Sequence, residues 1–286
     1  MKKIFHIVGA GRVGQTFAAL LSRHPDWRLS HIVSSRLPPN AYGATVSADI
    51  ADLPEADVMM IATPDNAIAA TAERIARYAE LTPQTVVVHL SGAKSIQVLQ
   101  AVRERGALAG SLHPVFAFAD VEHSVAHLAG NLCAIEADDA HAVEILQQLA
   151  EALGLTAFTV PSEYKARYHA ALSAASNFSV TLAAFAQDLL TPLDFPETLS
   201  RRLIGDLMRQ SIDNLGKLPP LQALTGPIVR GDDGTVAVHL AAMTAEEQVH
   251  YRAWAQATLN LALARLDKEA AQKVQTALRE VGEDEV

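Results

Sequence analysis

The chain has 286 residues, half of them hydrophobic and only 5% aromatic, and 51 are alanine, so it has room for two domains with cores of packed helices and excludes disorder or a β-sandwich as its main theme. Lys plus Arg number 23 against 32 Asp plus Glu, a net charge of −9, and no run of five basic residues occurs, so no nucleic-acid partner is expected. The apolar runs are far shorter than the ~20 residues of a membrane helix, and two lysines ahead of a short strand do not form a signal peptide, so no membrane contact and a cytoplasmic location are expected.

Lys3 to Val8 is apolar and β-prone, and Gly9-Ala10-Gly11-Arg12-Val13-Gly14 follows at once, ahead of the helical pattern Phe17, Leu20, Leu21. Trp27 to Ser34 predicts a second strand and Val58 to Ala62 a buried one that ends in Thr63-Pro64-Asp65, before a helix from Ala67 to Glu80. Thr85 to His89 and Leu108 to Leu112 predict strands around a helix from Ser95 to Arg105, and Leu132 to Glu136 and Thr156 to Val160 flank a helix from Asp138 to Leu153. Strands alternating with helices in this way predict an α/β fold with a doubly wound, mostly parallel Rossmann sheet. Cys133, in the apolar stretch Leu132 to Ile135, has no internal disulfide partner and reads as a small buried hydrophobe.

After Pro161 the strand signal ends. Helices are expected at Ser162 to Leu190, Pro196 to Leu215, Thr235 to Ala242 and Thr244 to Leu266, the last opened by a capping box of Thr244 and Glu247, with a polar tail after Asp267. The domains are therefore expected to be residues 1–160, binding the dinucleotide, and 161–286, an all-helical second domain. Gly216 to Gly234, rich in Pro, Gly and Asp, reads as a loop longer than a connection requires.

A strand, G-x-G-x-x-G and a helix in the first βαβ unit form a dinucleotide fingerprint. Gly9 permits the tight turn, Gly11 the approach of the pyrophosphate and Gly14 the packing of helix on strand, while Ala10, Arg12 and Val13 complete the turn at a helix N-terminus that attracts anions. Where an NAD site carries Asp or Glu, the second strand ends in Ser34-Ser35-Arg36. Two hydroxyls and a guanidinium suit a 2′-phosphate, so the expected cofactor is NADP. Thr63, Pro64 and Ser91-Gly92, at the carboxyl ends of successive strands, are expected to border the nicotinamide half, and His89 and His113 lie at similar strand ends, His113 within reach of substrate.

At about 100° per residue, Lys165, His169, Ser173, Ser176 and Asn177 fall within about 120° of one another on the first long helix. With Ala171, Ala174, Ala175 and Phe178 on the far side, this polar line is expected to face a cleft. His169 suits the proton transfer that accompanies hydride reduction of C=O or C=N, Lys165 can depress its pKa or bind substrate as a cation, and Asn177 and Ser176 can orient the reacting group. The same line also suits a helix–helix interface. Arg230, in Thr225-Gly226-Pro227-Ile228-Val229-Arg230-Gly231-Asp232, is a candidate carboxylate clamp. His123 and His127 have metal-ligand spacing without a third ligand, so no metal is expected.

These residues resemble a family, the Rossmann-like NADP oxidoreductases related to pyrroline-5-carboxylate reductase and the 6-phosphogluconate dehydrogenase superfamily. More closely, they resemble bacterial proteins that join such a domain to a helical domain of unknown function, on G-A-G-R-V-G, Lys165, Tyr168-His169-Ala170-Ala171, Ala175-Ser176-Asn177, Leu224-Thr225-Gly226-Pro227 and Arg230-Gly231-Asp232. The resemblance implies two domains, NADP binding in the first, homodimerisation through the helices and an active site between the first domain and the first long helix. The superfamily's hydroxyacid dehydrogenases carry Lys-x-x-x-Asn there, from which the order Lys165, His169, Asn177 departs. The expected function is hydride transfer between NADP(H) and a small anionic carbonyl or imine in the interdomain cleft; a non-catalytic NADP sensor and an NADP-deazaflavin oxidoreductase are the alternatives.

Overall fold

Apolar runs such as Val58–Ile61 and Val86–His89 make strands only where both faces are covered. In the computed structural model, which describes residues 1–279, both are buried at every position, in the middle of an eight-stranded sheet. Its strands are β1 (Lys3–Val8), β2 (Trp27–Val33), β3 (Thr45–Ser47), β4 (Val58–Ile61), β5 (Val86–His89), β6 (Leu108–Pro114), β7 (Leu132–Ala137) and β8 (Thr156–Thr159), in the order β3-β2-β1-β4-β5-β6-β7-β8. Pairing is parallel throughout except between β6 and β7, which are antiparallel.

Alternate residues of the strands feed two cores. Met60 and Val88 pack with Phe17 and Leu21 of α1 (Arg12–Leu21) and Ile145 and Leu149 of α5 (Ala140–Ala152), whereas Met59 and Val87 pack with Ile68 and Ile75 of α2 (Ile68–Tyr78) and with Val102 of α3 (Gln100–Arg103). The fold is thus the expected mostly parallel Rossmann-like α/β sheet, and the C-terminal region is largely helical.

Several elements differ from expectation. The stretch Ser95 to Arg105 is a 3₁₀ turn, Ile96–Leu99, followed by the short α3, and α4 (Val121–His127), capped by Asp120, had no apolar period long enough to announce it. The long helix α6 (Lys165–Asp188) begins after a 3₁₀ turn at Ser162–Tyr164, and α7 (Glu197–Leu215) follows. The Gly216 to Gly234 stretch holds two single-turn helices, α8 (Pro220–Ala223) and α9 (Pro227–Arg230), each opened by a proline. Next come α10 (Asp233–Ala241) and α11 (Ala245–Ala262), the latter with the capping box of Thr244 and Glu247 in place. The tail after Asp267 is a helix, α12 (Lys268–Leu278), because Val274 and Leu278 complete an apolar cluster with Leu240 and Leu259 that its polar composition hides; residues 280–286 of that tail lie outside the described ones.

Two compact units divide the chain, the first ending at Phe178 and the second beginning at Ser179, inside α6 and beyond the expected boundary near 160. The physical reason is that the first turns of α6 pack on the sheet. Among the described residues no helix is long and apolar enough to cross a membrane.

Candidate active site

Strand order reverses at β1, which pairs with β2 on one side and β4 on the other, and a crevice forms at the carboxyl ends of such strands. A cavity of about 790 Å³ lies there. Gly9 turns the chain at φ +103°, where a Cβ would sit 2.8 Å from the Ala62 carbonyl, and Gly14 lets α1 approach so closely that its Cβ would lie 2.3 Å from the Gly9 oxygen. At Gly11 the space is open, with nothing within 4 Å of a Cβ. Gly11 is also the N-cap of α1 and supplies no side-chain acceptor, and the first turn carries no acidic residue, so its amides and the positive end of the helix remain for an anion.

At the end of β2, the Ser34 hydroxyl accepts hydrogen bonds from the Arg36 and Leu37 amides at 3.1 and 3.4 Å and shapes the turn that carries Ser35 and Arg36. All three residues line the cavity, together with Arg12 and with Arg74 of α2, and no Asp or Glu is among the lining residues. Arg74 was not legible in the sequence, since it lies far along the chain in the exposed stripe of an ordinary amphipathic helix. Asp49 holds its guanidinium at 3.0 Å. Thr63 and Pro64 close the far wall, where the Thr63 hydroxyl is buried without a hydrogen-bond partner. The glycine turn and helix N-terminus fit the pyrophosphate of a dinucleotide, and the guanidinium groups at the rim fit a further anion.

A second cluster forms on β6. Because β7 and β8 run opposite to β6, the chain leaves β8 at the amino end of the parallel strands and α6 climbs back along the sheet. Lys165, 1% exposed, meets the middle of β6, where its Nζ donates to the Ser111 hydroxyl at 2.8 Å and lies 3.5 Å from the Glu136 carboxylate. Glu136 also accepts from the Ser162 hydroxyl and from the Ile96 amide at 3.2 Å, so the ion pair is supported on both sides. Lys165 is therefore fixed inside the protein, not presented to a ligand as a free cation. Burial holds its pKa below the usual lysine range, opposed by the charge of Glu136.

One turn higher, Tyr168 and His169 reach the end of β6. The Tyr168 hydroxyl is 3.1 Å from Nδ1 of His113, and the His113 and His169 rings lie 6.0 Å apart. Both rings crowd Gly92: a Cβ there would lie 2.7 Å from Nε2 of His113 and 2.8 Å from Cδ2 of His169. Burial first, and the Lys165 ammonium second, push the pKa of His113 down to about 4 and that of fully buried His89 down to about 3, so both imidazoles are neutral at pH 7. Burial raises the Tyr168 phenol to about 12 and the Cys133 thiol to about 12, which leaves that cysteine a neutral core residue.

Ser91 is not a lining residue of the cavity. Its hydroxyl donates to Asp65 at 2.6 Å and accepts from the Ala93 and Lys94 amides at 3.2 and 3.1 Å, which organises the turn that carries Gly92. Ser176 and Asn177 are exposed, and Lys165 is the one buried residue described on α6, so the polar line is not a buried stripe; periodicity identifies the polar face but not what covers it. Arg230 is exposed in the second unit, where Gly231 takes a left-handed turn against Ala270 and Asp232 caps α10. The rings of His123 and His127 stack at 4.2 Å, and no group of three metal-ligating side chains occurs among the described residues.

Residues 2–114 match the Rossmann-like domain family, and residues 131–258 match a domain of unknown function, DUF2520. No curated protein matches the chain. Among solved structures, a Bacteroides fragilis protein provisionally assigned as an NADP oxidoreductase is similar at 21% identity over 92% of this chain and 98% of that one, with a TM-score of 0.73. A Thermotoga maritima protein is 25% identical over 96% and 100% of the two chains, with a TM-score of 0.64. The NADP-bound pyrroline carboxylate reductase of Plasmodium falciparum is 11% identical over 97% and 98%, with a TM-score of 0.62.

Proposed function

We propose that this chain, a Rossmann-like domain followed by a DUF2520 domain, is an NADP-dependent oxidoreductase that acts on a small, anionic carbonyl or imine substrate. The observation that carries this reading is the cavity at the end of β1: a glycine turn beneath a helix N-terminus, three arginines at its rim and no carboxylate in its lining. Gly9, Gly11 and Gly14 would hold the pyrophosphate, and Ser34, Ser35, Arg36, Arg12 and Arg74 the 2′-phosphate. The names of similar proteins, one of them NADP-bound, support the choice of cofactor.

When bound, NADPH supplies the hydride. His169 gives the proton that the reduced substrate takes up, or receives it in the reverse direction. His113, neutral, hydrogen-bonds to the reacting group, while Ser91 and Asp65 hold the Gly92 turn between the two rings. Burial first, and the field of Lys165 second, keep His113 and His89 unprotonated.

The test is a fluorescence titration of the protein with NADPH and with NADH. Charge-assisted hydrogen bonds to the extra phosphate predict NADPH binding at least about tenfold tighter, a preference that Arg36→Ala and Arg74→Ala each reduce. Equal affinity for both cofactors, or an unchanged preference in both variants, overturns the assignment. Loss of NADPH absorbance with a panel of keto acids and cyclic imines, abolished by His169→Ala, identifies the substrate.

A further inference from the structure

The two nitrogens of His113 have different surroundings. Nδ1 is 3.1 Å from the Tyr168 hydroxyl, whereas Nε2 makes no hydrogen bond among the described residues and packs against Gly92, 2.7 Å from where a Cβ would stand. The ring can sit this close to the turn because residue 92 is glycine. A phenol is a better proton donor than a neutral imidazole and a poorer acceptor, so the O–H of Tyr168 points at Nδ1. Among the described residues Nδ1 is also the one acceptor within reach of that O–H. With Nδ1 accepting, the single proton of the neutral ring sits on Nε2.

We propose that Tyr168 is a positioning residue that fixes His113 as its Nε2–H tautomer, so that the unpartnered N–H of a neutral imidazole donates a hydrogen bond to the reacting oxygen of a carbonyl substrate. The proposal rests on the oxidoreductase reading above and narrows its substrate class. An N–H donor needs a lone pair to point at; a carbonyl oxygen has one and a protonated iminium has none. Charge that develops on the carbonyl oxygen strengthens the bond, while burial of the ring first and the Lys165 ammonium second keep it from becoming a cation. The histidines thereby divide the work: His113 donates without losing its proton, and His169 exchanges one.

The experiment is long-range ¹H–¹⁵N NMR of the full-length protein labelled at histidine, with the His113 signals assigned by their absence in His113→Gln. At pH 7, wild-type His113 is expected to show one neutral Nε2–H tautomer, with widely separated nitrogen shifts. Tyr168→Phe keeps the aromatic contact with Phe158 and is expected to move both shifts toward their tautomer-averaged value, while thermal unfolding stays cooperative. An Nδ1–H tautomer or an imidazolium in the wild type, or a spectrum unmoved by Tyr168→Phe, overturns the proposal. These signals are read without cofactor, so a failure of NADPH to bind sinks the oxidoreductase reading and leaves the tautomer assignment to be decided on its own.

Discussion

Two glycines of one turn make opposite demands. Gly14→Ala drives a methyl group to 2.3 Å from the Gly9 oxygen, an overpacking worth about 1–3 kcal/mol, so both the denaturation midpoint and NADPH affinity should fall. Gly11→Ala meets nothing within 4 Å, so its stability should change by no more than about 0.5 kcal/mol while NADPH binding is lost. The buried ion pair is equally specific: Lys165→Met leaves Glu136 charged and unpaired and should cost about 3–5 kcal/mol in urea unfolding, much of which Glu136→Gln added to it should restore. His89 and His113 bind protons less readily folded than unfolded, with native pKa values of about 3 and about 4. Their contribution to stability is therefore complete above the unfolded value of about 6.5 and declines as pH falls toward 4, by about 2 kcal/mol for each ring between pH 7 and pH 5. Urea unfolding at the two pH values measures this, and His89→Gln should flatten the loss.

Helices α6 and α7 carry large apolar side chains in the open. Phe178 is 64% exposed and Leu207 59%, and Leu182, Leu199, Leu203, Ile212 and Leu215 are exposed as well. Single exposed leucines are ordinary, but Leu199, Leu203 and Leu207, spaced four apart, share one face of α7, and an apolar stripe of that kind usually marks an interface. A second copy of the chain is the occupant we propose, and Leu203→Glu with Leu207→Glu should convert a dimer to a monomer in sedimentation velocity; a monomeric wild type ends that reading. The sequence announced α11 through its capping box, and the glycine turn through its spacing. It hid α12, whose buried Val274 and Leu278 are few among polar residues, and it placed Ser176 and Asn177 on a face without telling whether that face is covered.

For the molecule as a whole, the sheet and its ligand edge were legible because strand ends, glycines and polar turn residues are adjacent in sequence. The Lys165–Glu136–Ser111 cluster was not, because it depends on the antiparallel insertion of β7, and pairing direction leaves no local mark on the residues. The whole chain should respond to cofactor as one thermodynamic partner: NADPH at a hundredfold its Kd stabilises the protein that binds it by about 2.7 kcal/mol, a rise in Tm that NADH at the same concentration should not match. The climb of α6 along β6 also works as a ruler. Lys165 to Tyr168 rises about 4.5 Å on the helix, against about 6.6 Å from Ser111 to His113 on the strand, so one buried ammonium sets the phase at which both aromatic rings meet the end of the sheet. One residue inserted after Ala166 would leave that anchor in place and turn Tyr168 and His169 about 100° out of phase, parting fold from chemistry in a single step.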